Sequence, residues 1–224
     1  MNCQLAMKEL KKCGTAQNRK VYARHGIHEP MFGVSYANLK ALAKKIKSDH
    51  ELAVDLWATG NHDARILATM IGDPEKVDAK LVESWARKLD NYAITDALGG
   101  LAGRAEMPRK TIDKWSNSKD EWLGQLGWNL ITRLALHSSD CPDDYFKTKI
   151  GVIEKKIHKS KNRTRYSMNG CLIAIGMRNA GLRKEALAAA RRIGKVEVDH
   201  GETGCKTPDA ADYIRRATTR KKKK

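Results

Sequence analysis

Apolar side chains recur at three- and four-residue intervals along almost the whole chain, and this periodicity confines it to an all-helical fold. Tyr36, Leu39, Leu42, Ala43 and Ile46 fall on one face of a helix that Ser35 can cap. A short helix over Glu51–Trp57 stops at Gly60. Asn61-His62-Asp63 can cap the next, which carries Ile66, Leu67, Met70 and Ile71 and ends at Gly72-Asp73-Pro74. The pattern predicts further helices at about 75–89, 91–102, 108–117, 120–137, 143–159, 163–179, 181–194 and 208–219, with two more before residue 25. No segment alternates as a strand would. Connections of only a few residues make successive helices antiparallel neighbours. The dipeptides Leu56-Trp57 and Trp122-Leu123, with similar turns after them, suggest pairs of about 35–40 residues stacked into a curved solenoid. One repeat domain is expected over 1–219, followed by a basic, disordered tail at 220–224.

Charge is distributed unevenly. Residues 1–60 carry a net +5 and 61–146 a net −3, whereas 147–224 hold 22 basic against 7 acidic residues. A surplus concentrated in this way favours a polyanion, because each cation placed on a phosphate releases condensed counterion. The densest part runs from Lys147 through Lys149, Lys155, Lys156, Lys159 and Lys161 to Arg163 and Arg165. Ile150, Ile153 and Ile157 occupy another face of the same helix, so the cations are candidates for phosphate contact. Arg178, Arg183, Arg191 and Arg192 could extend the patch. Trp57, Trp85, Trp115 and Trp128 sit in helical register as core anchors, while Trp122 heads a helix and can line a groove. Arg65 reads as a structural arginine associated with Asp63.

No apolar run approaches the roughly 18 residues of a membrane span, and residues 1–12 read as an amphipathic helix rather than a leader. The five cysteines are scattered and never form a CxxC pair, as expected for reduced thiols of a cytoplasmic protein. The segment Asp199-His200-Gly201-Glu202-Thr203-Gly204-Cys205 gathers possible metal ligands, but one Cys and one His give little support for a metal. Thr207-Pro208 behind it is a cap and first-turn pair, so the loop can serve simply to enter the last helix. No partnering base is evident for Cys205 as a nucleophile. A metal-dependent hydrolase centred on His200 and Cys205 therefore trails other readings, and neither metal nor organic cofactor is expected.

Three segments in order carry a family resemblance. Phe32-Gly33-Val34-Ser35 precedes the helix to Ile46, Leu56-Trp57 leads through Gly60-Asn61-His62-Asp63 to Arg65, and Asp90-Asn91-Tyr92-Ala93-Ile94-Thr95-Asp96 follows. Together they resemble the DNA alkylation repair family over residues 5–215. The resemblance implies an alpha-alpha superhelix of HEAT-like repeats. It also implies removal of cationic alkylated purines from double-stranded DNA, with Asp96 as the catalytic carboxylate and Tyr92 as an aromatic wall.

The chemistry suits a carboxylate. Departure of a cationic purine moves positive charge onto the sugar, and a fixed negative group stabilises the resulting oxocarbenium-like transition state. Aromatic faces favour the same cation. Tyr92 and Asp96 are four apart and project from one helical face. The sequence also departs from the family pattern: Tyr92 replaces a common Trp, Gln125 stands where an arginine pair is expected, and Cys171 follows Gly170 in place of Trp. Binding carries over better than catalysis. The expected protein is thus a monomeric, cytoplasmic DNA-repair protein recognising alkylated or distorted duplex; the alternative is a non-catalytic repeat adaptor for nucleic acid or a protein partner.

Overall fold

The computed structural model describes residues 1–221, apart from the side chains of Thr218, Arg220 and Lys221. Thirteen α-helices are present among the described residues, and no strand. In chain order they are α1 Cys3–Cys13, α2 Ala16–Arg24, α3 Tyr36–Ile46, α4 His50–Ala58, α5 His62–Ile71, α6 Ala79–Ala86 and α7 Tyr92–Arg104. Then come α8 Arg109–Ser116, α9 Glu121–His137, α10 Asp143–Lys156, α11 Asn162–Arg178, α12 Ala180–Ile193 and α13 Ala210–Lys221. The chain is therefore all-α. Of the basic tail expected at 220–224, Lys222–Lys224 lie outside the described residues.

Local chemistry explains the boundaries. Side chains of Asn2, Thr15, Ser35, Asp49, Asn61, Asp78, Asn91, Asp120 and Asn179 each accept a hydrogen bond from a backbone N–H in the first turn they precede. Two expected helices are interrupted. Over 75–89 a 3₁₀ turn at Pro74–Lys76 comes first, and Asp78 restarts the chain as α6 by accepting from Leu81 N at 2.8 Å. The helix expected over 143–159 gives way after Lys156 to a 3₁₀ turn at Ile157–Lys159.

The chain folds as two compact units, residues 1–111 with 200–204, and residues 112–199 with 205 onward. In the first unit, α3, α5 and α7 form a parallel layer. Asp63, at the start of α5, accepts from Val34 N just ahead of α3, while Ile71 O at the end of α5 accepts from Asp49 N just beyond α3. Arg65 near the start of α5 donates to Lys88 O ahead of α7, and Arg104 at the end of α7 donates to Thr69 O. Helices α4 and α6 return between them. Trp57 and Trp85, 2% and 4% exposed, stack with ring centroids 4.2 Å apart and planes 5° from parallel.

The second unit repeats the plan with α9, α11 and α13 parallel and α10 and α12 returning. Glu121 O accepts from Thr164 Oγ1 where α9 and α11 begin, and Arg178 ends α11 by donating to the carbonyls of Leu134, Ala135 and Ser138 at the end of α9. Asn169 of α11 donates to Pro208 O ahead of α13, and Ile214 further along α13 packs on Gly176. Close approach depends on glycine at Gly127 of α9, where any Cβ would run into the backbone of Trp115 and Ser116. Trp115, Trp128 and Phe146 are fully buried in this unit. The roughly 25 cal/mol per Å² gained by such burial is what stabilises short helices that would not persist alone.

Candidate nucleic-acid interface

Two places bring charged and aromatic side chains together, one in each unit. In the first unit, α7 begins at Tyr92 because Asn91 caps it through Ile94 N at 3.1 Å. Tyr92 and Asp96 then lie one turn apart, the first half-buried and the second exposed. Tyr92 Oη is 2.7 Å from His25 Nδ1, at the end of α2. Tyr22, earlier on α2, donates to Val34 O at 2.5 Å and meets the His62 ring edge-on at a centroid distance of 5.6 Å. Tyr36 opens α3 and is 45% exposed rather than sunk in the core. Its phenol is nevertheless pushed up to about 12, first by desolvation and then by the proximity of Tyr22, Asp96, Tyr92 and Asp63. The Tyr22, Tyr36 and Tyr92 phenols thus gather with the Asp96 carboxylate in one neighbourhood.

Asp63 supports this neighbourhood from below. Fully buried, it accepts from three consecutive backbone N–H groups, Phe32 at 2.6 Å, Gly33 at 3.0 Å and Val34 at 2.8 Å. That clamp sets the turn from which Ser35 starts α3. Arg65, expected beside Asp63, instead donates to the carbonyls of Trp57 and Lys88 and lies over the Trp57 ring at 5.4 Å. Its role is structural, and burial pulls its pKa down. His62 is likewise held down, chiefly by burial.

In the second unit, the turn before α9 and the turn before α11 form one edge. Glu121 Oε1 accepts from Arg163 N at 2.6 Å, and Lys156 Nζ donates to Asn117 Oδ1 at 3.1 Å. Lys155, Lys156, Lys159 and Lys161 are exposed along this edge, as is Lys119 on the neighbouring turn. Arg163 and Trp122, at the heads of α11 and α9, are half-buried. The edge is therefore strongly cationic, with Asp120 and Glu121 engaged in capping.

Three members of the expected basic group have other work, the first being Lys147, whose ammonium pairs with Asp144 Oδ1 at 2.8 Å. Lys149 is 6% exposed, and its ammonium lies 2.6 Å from Asp113 Oδ1 and 4.9 Å from the Tyr145 ring centre. Asp113 also accepts from Tyr145 Oη at 2.7 Å. Arg165 donates to the carbonyls of His158, Ser160 and Glu197 and so ties the segment after α12 to the head of α11. Of the possible extensions, Arg178 is spent on carbonyls and Arg192 pairs with Glu154 at 2.6 Å.

Gln125 and Cys171, where the sequence leaves the family pattern, are 2% and 0% exposed, and burial pushes the Cys171 thiol up to about 12. Among the described residues no group of three His, Cys, Asp or Glu side chains could hold a metal, and no helix is long and apolar enough to cross a membrane.

Sequence reasoning missed His25, because its partner Tyr92 is 67 residues away and no local pattern joins them. It also missed Lys119, which joins the basic edge only through the packing of the two turns.

Residues 6–214 match the family described as DNA alkylation repair enzyme. The chain belongs to that family. Uncharacterized proteins of Listeria innocua and Listeria monocytogenes are each 29% identical to it, over 95% and 96% of both chains respectively. A solved structure superposes with a TM-score of 0.89 at 29% identity, covering 99% of this chain and 95% of the other. It is described as a new family of proteins related to the HEAT-like repeat DNA glycosylases with affinity for branched DNA structures. The parallel layers of α3, α5, α7 and of α9, α11, α13 are thus a HEAT-like repeat architecture.

Proposed function

We propose that the protein is a monomeric, cytoplasmic DNA-binding member of the alkylation repair family that grips distorted or branched double-stranded DNA by its phosphates. The observation that carries this reading is the cationic edge at the heads of α9 and α11: Lys155, Lys156, Lys159 and Arg163, with Trp122 beside them. Phosphate contacts fix a protein on DNA without reading sequence, which suits recognition of shape. The affinity for branched DNA ascribed to the structural relative supports the same class of ligand. Lys149 and Arg165 organise this edge from within.

Titrating labelled linear, alkylated and four-way-junction DNA at several salt concentrations tests the proposal. Tighter binding to the junction or the alkylated duplex is expected, falling steeply with salt. Lys155→Glu with Lys156→Glu should lower the logarithmic salt slope by about 2 and weaken binding on every DNA. Affinity that is constant with salt, or unchanged in the double variant, would sink it.

A second reading, excision of cationic alkylpurines, is favoured by one observation: Asp96 is exposed one turn from Tyr92 and close enough to Tyr36 to shift its phenol. There the carboxylate would stabilise positive charge developing on the sugar as the N-glycosidic bond breaks. Release of 7-methylguanine and 3-methyladenine from alkylated DNA decides between this enzyme and a binding protein without turnover.

A further inference from the structure

Lys47 stands in a backbone conformation that ordinarily requires glycine. It follows the last residue of α3 with φ 69° and ψ −144°, and its N–H closes the helix on Ala43 O. Helix α12 ends in the same way, with φ 70° and ψ −150° and the cap N–H on Ala190 O, but there the residue is Gly194. In this region Cβ collides with the backbone, so a lysine destabilises the turn where a glycine would not. A residue kept at a strained position despite that cost points to a use for its side chain.

The surroundings indicate the use. An open notch of about 370 Å³ lies at the ends of α3 and α5, lined by Lys44, Lys47, Ser48, Gly72 and Arg104 among others. Lys44 and Lys47 are exposed, and neither is ion-paired with a carboxylate among the described residues. Helix C-termini ordinarily repel anions through their free carbonyls. Here part of that repulsion is removed, because Ile71 O accepts from Asp49 N and Thr69 O from the Arg104 guanidinium at 2.8 Å, while Lys44, Lys47 and Arg104 bring three cations to the lining. Arg104 also reaches Gly100 O at 3.2 Å, and a Cβ on Gly100 would meet nothing within 4 Å.

We infer that the notch at the ends of α3 and α5 is a second phosphate seat, in which Lys44 and Lys47 contact the sugar–phosphate backbone of DNA. The inference rests on the DNA-binding reading above, and it assigns contacts to residues outside the basic C-terminal third. Lys47 holds its strained conformation because the ammonium it carries is needed at the mouth of the notch.

The test separates stability from binding with two variants of one residue. Lys47→Gly removes the strain and the charge together, so apparent Tm should rise by roughly 2–4 °C. Its affinity for duplex DNA should fall about eightfold at 0.1 M salt, with a salt slope smaller by about 0.9. Lys47→Ala keeps Cβ and loses the charge; it should weaken binding equally without raising Tm. Adding Lys44→Gln to Lys47→Gly should lower the slope by about another 0.9.

If wild type binds DNA with a steep salt slope and the Lys47 variants keep both affinity and slope, the notch is not a phosphate seat and the edge at α9 and α11 stands alone. If Lys47→Gly weakens binding but leaves Tm unchanged or lowered, the strain argument is overturned. Failure of wild type to bind any DNA overturns both this inference and the reading on which it rests, and capture of an acidic peptide through Lys44 and Lys47 would assign the notch to protein instead.

Discussion

Asp63 holds the turn that launches α3, and removing its carboxylate has a cost that can be worked out. Asp63→Ala deletes three charge-assisted hydrogen bonds, to Phe32, Gly33 and Val34, and leaves the Gly33 and Val34 amides buried without that acceptor. Each such bond contributes about 1.5–3 kcal/mol, and each orphaned buried N–H costs about 1–3 kcal/mol. Relief from burying a carboxylate offsets part of this, and bonds sharing one acceptor are not additive. A net loss of about 4 kcal/mol follows, or roughly 10 °C in Tm for a chain of this length. Asp63→Asn should fall about halfway: its oxygen can still accept, but its NH₂ then faces another N–H.

Urea denaturation gives the global value, and amide hydrogen exchange gives the local one. Protection should drop first at Phe32, Gly33 and Val34. Tm within about 2 °C of wild type, or unaltered exchange at those three amides, would refute the reasoning, because three short bonds to a buried charge cannot be removed so cheaply.

Other outcomes follow from the same geometry. His62 is depressed by burial, so the unfolded chain takes up a proton near pH 6.5 while the folded chain resists it; stability should rise with pH through that range and be lost below it. Denaturation midpoints at pH 7.5 and 5.5 should separate in wild type and draw together in His62→Gln. Asp96→Asn should retain fold and DNA affinity while any excision of 7-methylguanine falls at least tenfold, equivalent to about 1.4 kcal/mol of transition-state stabilisation; excision at the wild-type rate would remove Asp96 from the chemistry.

Helix α5 illustrates what could be read from sequence and what could not. Asn61 as its cap and Gly72 at its end were visible, because capping acts over three or four residues. The task of Asp63 was not, since its three partners lie 29–31 residues earlier in a turn that only the fold brings near. Tyr92 and Asp96 could be paired by helical spacing, yet their neighbours Tyr36 and His25 come from other helices. Lys149 carries a different lesson. Grouped with the surrounding cations it reads as a surface charge, but it lies three residues after Phe146 and four before Ile153, on the inward stripe of α10. The period that marked Ile150 and Ile153 as core also turned this lysine toward Asp113. The strain at Lys47 had no local signature, because a lysine after a helix is ordinary until its φ is known.

Arginines at the ends of the layers carry a mechanical consequence. Arg65 reaches forward to Lys88, Arg104 back to Thr69, and Arg178 back to four carbonyls between Leu134 and Cys141. Each guanidinium fastens one repeat to the backbone of its neighbour, Arg178 adding an ion pair with Asp143 at 3.7 Å, so the joint tolerates much drift in the neighbour's sequence as long as the helix ends in the same place. Within each unit, unfolding should then advance like the undoing of a row of stitches, halting at an intact arginine and running past a missing one.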